Sequence, residues 1–215
     1  MTFKIEHASY KDIIIIEDFY AHSQKITCLV GESGGGKTTL LKLLSKMISP
    51  TDGAVYINDE LLEDKDTIEH RKSCMMMPQN PFVFPGTVKE NIVLPLKYRD
   101  NTLDDSVLSS ICERVHLKND LDQETSNLSM GEKQRLALAQ IIAADAPCIL
   151  LDEPSSALDE ATEQDVIEKV VSYVKEQKKT LVMVTHSLNI AKQYADSIYT
   201  IKDGRIKGRE HNGRH

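Results

Sequence analysis

Gly31-Glu32-Ser33-Gly34-Gly35-Gly36-Lys37-Thr38 satisfies the pattern G-x-x-x-x-G-K-[ST] at every fixed position. A compact apolar run, Lys25–Val30, precedes it. Leu40, Leu41, Leu44, Met47 and Ile48 follow at the spacing of one buried helix face. Strand, glycine loop and helix in that order form a phosphate-binding setting. Glycines let the backbone curl so that successive N–H groups converge on one point, and the helix start adds positive potential there. Lys37 supplies a cation for β- and γ-phosphates, and the Thr38 hydroxyl a ligand for Mg²⁺. The bland alternative is a flexible glycine turn, and the flanking strand and helix argue against it.

A second chemical element lies downstream. The apolar run Ile149-Leu150-Leu151 delivers two adjacent acids, Asp152 and Glu153, ahead of Pro154. Layered α/β sheets place ligands at the C-terminal ends of their strands. Asp152 is suited to hold Mg²⁺, and Glu153 to orient and polarise an attacking water. A solvated acidic turn would read the same in isolation; a phosphate loop in the same chain shifts the balance.

Outward from these points, short apolar runs alternate with amphipathic stretches, as in an α/β layered fold. Phe3–Ser9, Asp12–Glu17 and Ala54–Asn58 read as strands, and Ser49–Gly53 as the turn ending the first helix. Cys148–Asp152 and Thr180–Thr185 read as further strands, with a helical stripe of Val166, Ile167, Val170, Val171 and Val174 between them. Pro81–Ala144 reads as a helical insertion. Asp203-Gly204 signals a hairpin, and Gly208–His215, with His211 and His215, a polar frayed tail.

Composition sets the frame. The chain has 215 residues, is 40% hydrophobic and 27% charged, and carries a formal charge of -7. That balance disfavours a nucleic-acid binder held by a basic surface. No run approaches the roughly 18 apolar residues of a membrane span, and MTFKIEHASYKD lacks the apolar stretch of a secretory signal. Any membrane span is thus expected from another chain. Cys28, Cys74, Cys112 and Cys148 are scattered without a CxxC pair, which predicts small buried side chains in a reducing compartment and neither a disulfide framework nor a transition-metal site.

Leu128-Ser129-Met130-Gly131-Glu132-Lys133-Gln134-Arg135 combines capping-box spacing, Ser129 to Glu132, with a helix start. It resembles the signature of ABC ATPases, L-S-G-G-Q/E-x-Q-R, at Leu128, Ser129, Gly131, Gln134 and Arg135. The resemblance covers nearly the whole chain, with the motifs in the family's order. It implies a RecA-like P-loop core, a mixed sheet with helices on both faces and an N-terminal antiparallel β subdomain, all in a single ABC ATPase domain over 1–215. The core would take 1–80 and 145–215, and an inserted helical signature subdomain 81–144.

The resemblance also implies roles. Gln79, after Met75-Met76-Met77-Pro78, matches the Q-loop glutamine that reaches Mg²⁺ and the attacking water. His186 matches the switch histidine at the γ-phosphate, and Ser156-Ala157-Leu158-Asp159 the D-loop that crosses a dimer interface. The expected catalytic groups are therefore Glu153, His186, Lys37 and Gln79, with Thr38, Gln79 and Asp152 on Mg²⁺. The expected nucleotide contacts are Gly31, Ser33, Gly34, Gly35, Gly36, Lys37, Thr38 and Thr39, with Tyr10 stacking on adenine and Tyr20 its rival. Ser129, Gly131, Glu132 and Asp159 would face ATP held by a second copy or a homologous cassette. A transmembrane permease subunit would dock near Gln79–Val93, placing the chain in the cytoplasm on the inner face of the membrane. Two positions depart from the pattern: Met130 stands where the signature has glycine, and Gln24 where the family often has glycine in a turn.

Other classes fit less well. A soluble ABC ATPase acting on nucleic acid or in translation usually carries a coiled coil, zinc-binding cysteines or two cassettes. A non-hydrolysing sensor would not need Glu153 and His186, nor a small-molecule kinase Leu128–Arg135. Among transporters, Gln79–Val88 and the compact length are similar to iron-efflux cassettes, with phosphate-import and lipoprotein or macrolide-export cassettes close behind.

Overall fold

Three strands of this chain are buried from end to end: β3 (Ile26–Val30), β7 (Cys148–Asp152) and β8 (Thr180–Val184). Continuous burial is what parallel strands covered on both faces require. The computed structural model, which describes residues 1–99 and 101–212 apart from the side chains of residues 160 and 161, pairs β3 with β8 and β8 with β7 in parallel. β9 (Ser197–Lys202) lies parallel on the other side of β3, and β10 (Arg205–His211) runs antiparallel to β9. With β6 (Cys74–Met77) beside β7, the mixed sheet has the order β10-β9-β3-β8-β7-β6.

A second sheet is antiparallel, in the order β2-β1-β4-β5. Its strands are β1 (Phe3–Tyr10), β2 (Ile14–Ala21), β4 (Asp52–Ile57) and β5 (Glu60–Leu61). In β1 the buried positions change phase from Phe3 and Ile5 to Ala8, and a register shift against β4 between Glu6 and Ala8 explains it. His7 stands there with φ 61°, as a β-bulge permits. α1 (Lys37–Leu44) contributes Leu40, Leu41, Leu43 and Leu44 to one core with residues of both sheets.

The chain divides into two compact units. The first takes residues 1–76, 147–153 and 174–215 and holds the elements above, with β6 ending at the boundary, together with α2 (Thr67–Ser73) and α7 (Leu188–Tyr194). The second takes residues 77–146 and 154–173. It contains α3 (Val88–Val93), α4 (Asp105–Arg114), α5 (Met130–Ala144) and the part of α6 (Glu160–Glu176) up to Tyr173. The stretch 81–144 lies within this unit, which also takes in 154–173.

Several sequence expectations shift. α1 ends at Leu44, where Ser45 closes it, so Met47 is exposed instead of lying on the buried face. β2 begins at Ile14, after a turn over 11–13, and runs on to Ala21. Asp52 and Gly53 open β4, so they are not part of a helix-ending turn. Residues 208–211 are paired in β10, because the Asp203-Gly204 turn, with φ 50° and 68°, returns the chain against β9. His215 lies outside the described residues. Gln24 adopts φ 59°, the left-handed region that glycine enters freely, so the departure there is confined to a turn. All four cysteines are free and buried, and burial pushes the Cys28 thiol up to about 12.

Tyr199 links the two sheets of the first unit. Its hydroxyl donates to Tyr20 O at 3.0 Å and accepts from Tyr20 N at 3.1 Å, so one buried side chain satisfies both backbone groups of a β2 residue. Tyr199→Phe leaves that pair without its partner. The substitution is expected to cost about 1–3 kcal/mol in urea denaturation.

Candidate functional site

Gly31 and Gly36 make the loop after β3 possible. Gly31 has φ 140°, and a Cβ there would sit 2.0 Å from Ile201 O. Gly36 has φ 101° and caps α1 without any side-chain hydrogen bond, so the first N–H groups of the helix receive no side-chain cap. The loop is braced from below: Gly204 N donates to Gly35 O at 3.1 Å, and Ile15 N to Gly204 O at 2.7 Å. Ser33 and Gly34 are exposed at its crest, while Thr38 and Thr39 are half-buried in the first helical turn.

Lys37 is buried, and its Nζ donates to Gly31 O at 2.9 Å and Glu32 O at 2.7 Å. Burial lowers its pKa from the ordinary value, opposed by the carboxylates of Glu153 and Asp152. These acids end β7. Asp152 is buried; burial raises its pKa, the Thr38 hydroxyl bonded to it acts against that, and the charge of Glu153 adds to the rise. Asp152 Oδ1 is buried with no hydrogen-bond partner among the described residues. A buried, unmatched carboxylate oxygen beside a threonine hydroxyl fits a hard divalent cation, which takes oxygen ligands.

Glu153 turns out of the strand with φ 50°, and its N–H donates to Val184 O at 3.1 Å. A non-glycine residue in that region carries strain of about 1–3 kcal/mol, which clusters at functional sites. The turn brings Glu153 Oε1 to 2.6 Å from His186 Nε2; the carboxylate is mostly buried and the imidazole half-exposed. The first unit thus gathers Lys37, Thr38, Asp152, Glu153 and His186. Tyr10 ends β1 half-buried, with the Lys11 ammonium 5.2 Å from its ring centre. Tyr20 packs instead against the His22 ring at 4.4 Å.

The second unit holds the other expected residues. Ser129 caps α5: its Oγ accepts from Glu132 N at 3.3 Å and donates to Glu132 Oε2 at 2.7 Å, while Ser129 N donates to the same oxygen at 2.8 Å. Asn119 Nδ2 adds a bond to Glu132 Oε1 at 2.9 Å. The Ser129 and Asn119 bonds hold the Glu132 carboxyl below its usual range. Met130 is exposed, and a Cβ on Gly131 would meet Leu158 Cδ2 at 3.2 Å and Ala157 O at 3.3 Å. Asp159 accepts from Thr162 N at 3.1 Å and from Thr162 Oγ1 at 2.7 Å, capping α6. Gln79 is exposed, and its backbone oxygen receives Gln134 Nε2 at 3.4 Å. The sequence marks Gln134 only as a matching position of the signature, with no role at the site; its buried contacts depend on partners that the sequence does not show.

The ABC transporter family profile matches residues 17–156. The chain belongs to the ABC transporter family. It is a P-loop ATP-binding cassette of that family, and the curated relatives differ widely in length. Over 195 residues it is 35% identical to the thiamine import ATP-binding protein ThiQ of Photobacterium profundum, covering 88% of this chain and 79% of that one. It is 36% identical to the mesentericin-Y105 transport/processing ATP-binding protein MesD of Leuconostoc mesenteroides, over 83% of this chain but 25% of that protein. With the carnitine transport ATP-binding protein OpuCA of Listeria monocytogenes the identity is 35%, and the chain spans 47% of that relative. Among solved structures, the dimeric cassette MJ0796 superposes with TM-score 0.87 at 25% identity, with full coverage of both chains.

Asp152 generates a stability prediction. Its carboxyl is raised in the folded protein, so the ionised form opposes folding. That penalty is fully present above the raised folded value and gone below the ordinary value of 3.8. Asp152→Asn is therefore expected to raise the melting temperature of the protein in EDTA at neutral pH, by about 2–4 °C for each 1 kcal/mol relieved. Added Mg²⁺ and ATP should then stabilise the variant less than the parent, as read by differential scanning fluorimetry.

Proposed function

We propose that this cassette hydrolyses ATP and powers transport through a separate membrane subunit, two cassettes enclosing two ATP molecules. The observation that carries the reading is Glu153: a mostly buried carboxylate turned by a strained backbone, beside the Lys37–Thr38–Asp152 cluster and 2.6 Å from His186. A general base needs that combination of enclosure and fixed aim. In this reading Lys37 and the N–H groups of Gly31 and Ser33–Thr39 bind the phosphates, and Tyr10 stacks on adenine. Glu153 orients the attacking water, with His186 and Gln79 at the γ-phosphate. Thr38, Asp152 and Gln79 would hold Mg²⁺, which supplies charge neutralisation at the phosphates when bound. Ser129, Gly131, Glu132 and Asp159 would meet the ATP of the second copy or a homologous cassette. The helical subdomain is taken as 81–144 between core segments 1–80 and 145–215.

Among the described residues no helix is long and apolar enough to cross a membrane, and we assign the protein to the cytoplasmic face of a membrane beside a permease chain. Exposed apolar surface supports a docking place near Gln79–Val93. Phe82 is 69% exposed and Phe84 48%, their rings 4.8 Å apart. Asn91 fixes this loop, accepting from Phe84 N at 2.9 Å and donating to Phe84 O at 3.0 Å. The narrower assignment to the iron-efflux type rests on Gln79–Val88.

Glu153→Gln is expected to keep ATP binding and to lower turnover by about 10²–10⁴-fold. The variant should accumulate as an ATP-bound dimer in analytical ultracentrifugation; a strictly monomeric variant under saturating ATP would refute the sandwich. Phe84→Asp should leave basal ATPase activity and melting temperature near those of the parent while abolishing pull-down of the membrane partner. Normal pull-down by the folded variant would place the docking site elsewhere.

A further inference from the structure

Gln134 lies on the second turn of α5, is 1% exposed, and is satisfied entirely by polar groups outside its own helix. Its Nε2 donates to Ser156 Oγ at 2.9 Å and, at a longer 3.4 Å, to Gln79 O. Its Oε1 accepts from Ala157 N at 3.0 Å. One primary amide thus grips the side chain of one loop residue and the backbone of the next, and reaches a third segment. All of these residues lie within the second unit.

The chemistry of the amide matters. Donor and acceptor must sit side by side on one planar group, and among side chains of this length only glutamine offers both. Glutamate retains the acceptor and loses the donors; leucine has the bulk and neither function. Packing reinforces the grip one turn earlier, where Gly131 leaves no spare room beneath Ala157 O and Leu158 Cδ2. Loop 156–158 is therefore clamped along the first two turns of α5.

We infer that Gln134 is a positioning residue that makes the start of α5, loop 156–159 and the backbone at Gln79 move as one body. The inference rests on the proposed function for its consequence: Ser129 and Asp159 then reach the second copy together, in a fixed relation. Nucleotide capture by the first unit does not involve the clamp. Its loss is expected to lower kcat and leave the KM for ATP nearly alone.

The test uses the full chain and two readouts. In the ligand-free protein, Gln134→Leu should speed hydrogen exchange at the Ala157 amide by about tenfold or more. With ATP and Mg²⁺ it should lower kcat by about tenfold, with KM within about twofold. Unchanged exchange at Ala157, or unchanged kcat in the folded variant, overturns the inference. If Gln134→Leu does not fold, Gln134→Glu decides. It should keep Ala157 protected while kcat falls, and a parental kcat overturns the inference. A parent protein that hydrolyses no ATP would refute the proposed function, and Ala157 exchange would still report on the clamp.

Discussion

The parallel register of β3, β8 and β7 is the constraint on which the first unit depends. Val184 pairs with Leu29 on one side and with Asp152 on the other, so these three residues lie in one row across the sheet. β7 and β8 end at this row, and β3 ends one residue beyond it, at Val30, which still pairs with Thr200. Beyond Leu29 comes the glycine loop and Lys37, beyond Val184 comes His186, and Asp152 is followed at once by Glu153. A slip of one residue in any pairing would exchange the two covered faces of that strand and move the residues at its end out of this row. The pairing of the buried strands thus brings the chemical groups into line, and the contacts of Thr38 with Asp152 and of Glu153 with His186 follow from it.

Alignment brings charges into an enclosed place. Lys37 and Asp152 are both buried and both shifted toward their neutral forms by that burial, each partly held back by the other. Burying charged groups seldom stabilises a fold in its own right. The unmatched Asp152 Oδ1 and the left-handed Glu153 belong to the same pattern. Local rules are broken within two consecutive residues, and the apolar strands around them offset the cost. A fold optimised for stability alone would have neither feature.

Much of this was legible from residue patterns because the deciding signals are local. The glycine loop, the apolar run into Asp152-Glu153 and the Ser129–Glu132 spacing each declare a backbone geometry that the structure contains. What was not legible depends on distant partners. Met47 continues the apolar spacing of α1, yet Ser45 closes the helix and leaves it exposed. The polar residues 208–211 look frayed until β9 supplies hydrogen bonds for them. The phase change in β1 needs Gly53 across the sheet, where a Cβ would sit 1.5 Å from His7 O. Gln134 is the same case for the second unit: its three partners come from segments 22 to 55 residues away.

The two helix starts assigned to phosphate are built in opposite ways. α1 begins at Gly36, which offers no side chain to its first N–H groups, and Lys37 is held by loop carbonyls. α5 begins at Ser129, whose hydroxyl is engaged by Glu132 in both directions, with Asn119 steadying the carboxylate. A phosphate arriving at α1 meets donors with no competing side chain. A phosphate arriving at α5 must displace a hydrogen bond to an ionised carboxylate, a contact worth about 1.5–3 kcal/mol net, before Ser129 can donate to it. In the proposed sandwich this difference orders events. The first unit captures nucleotide alone, while the α5 start engages only when a second copy presents phosphate charge strong enough to take the serine from Glu132.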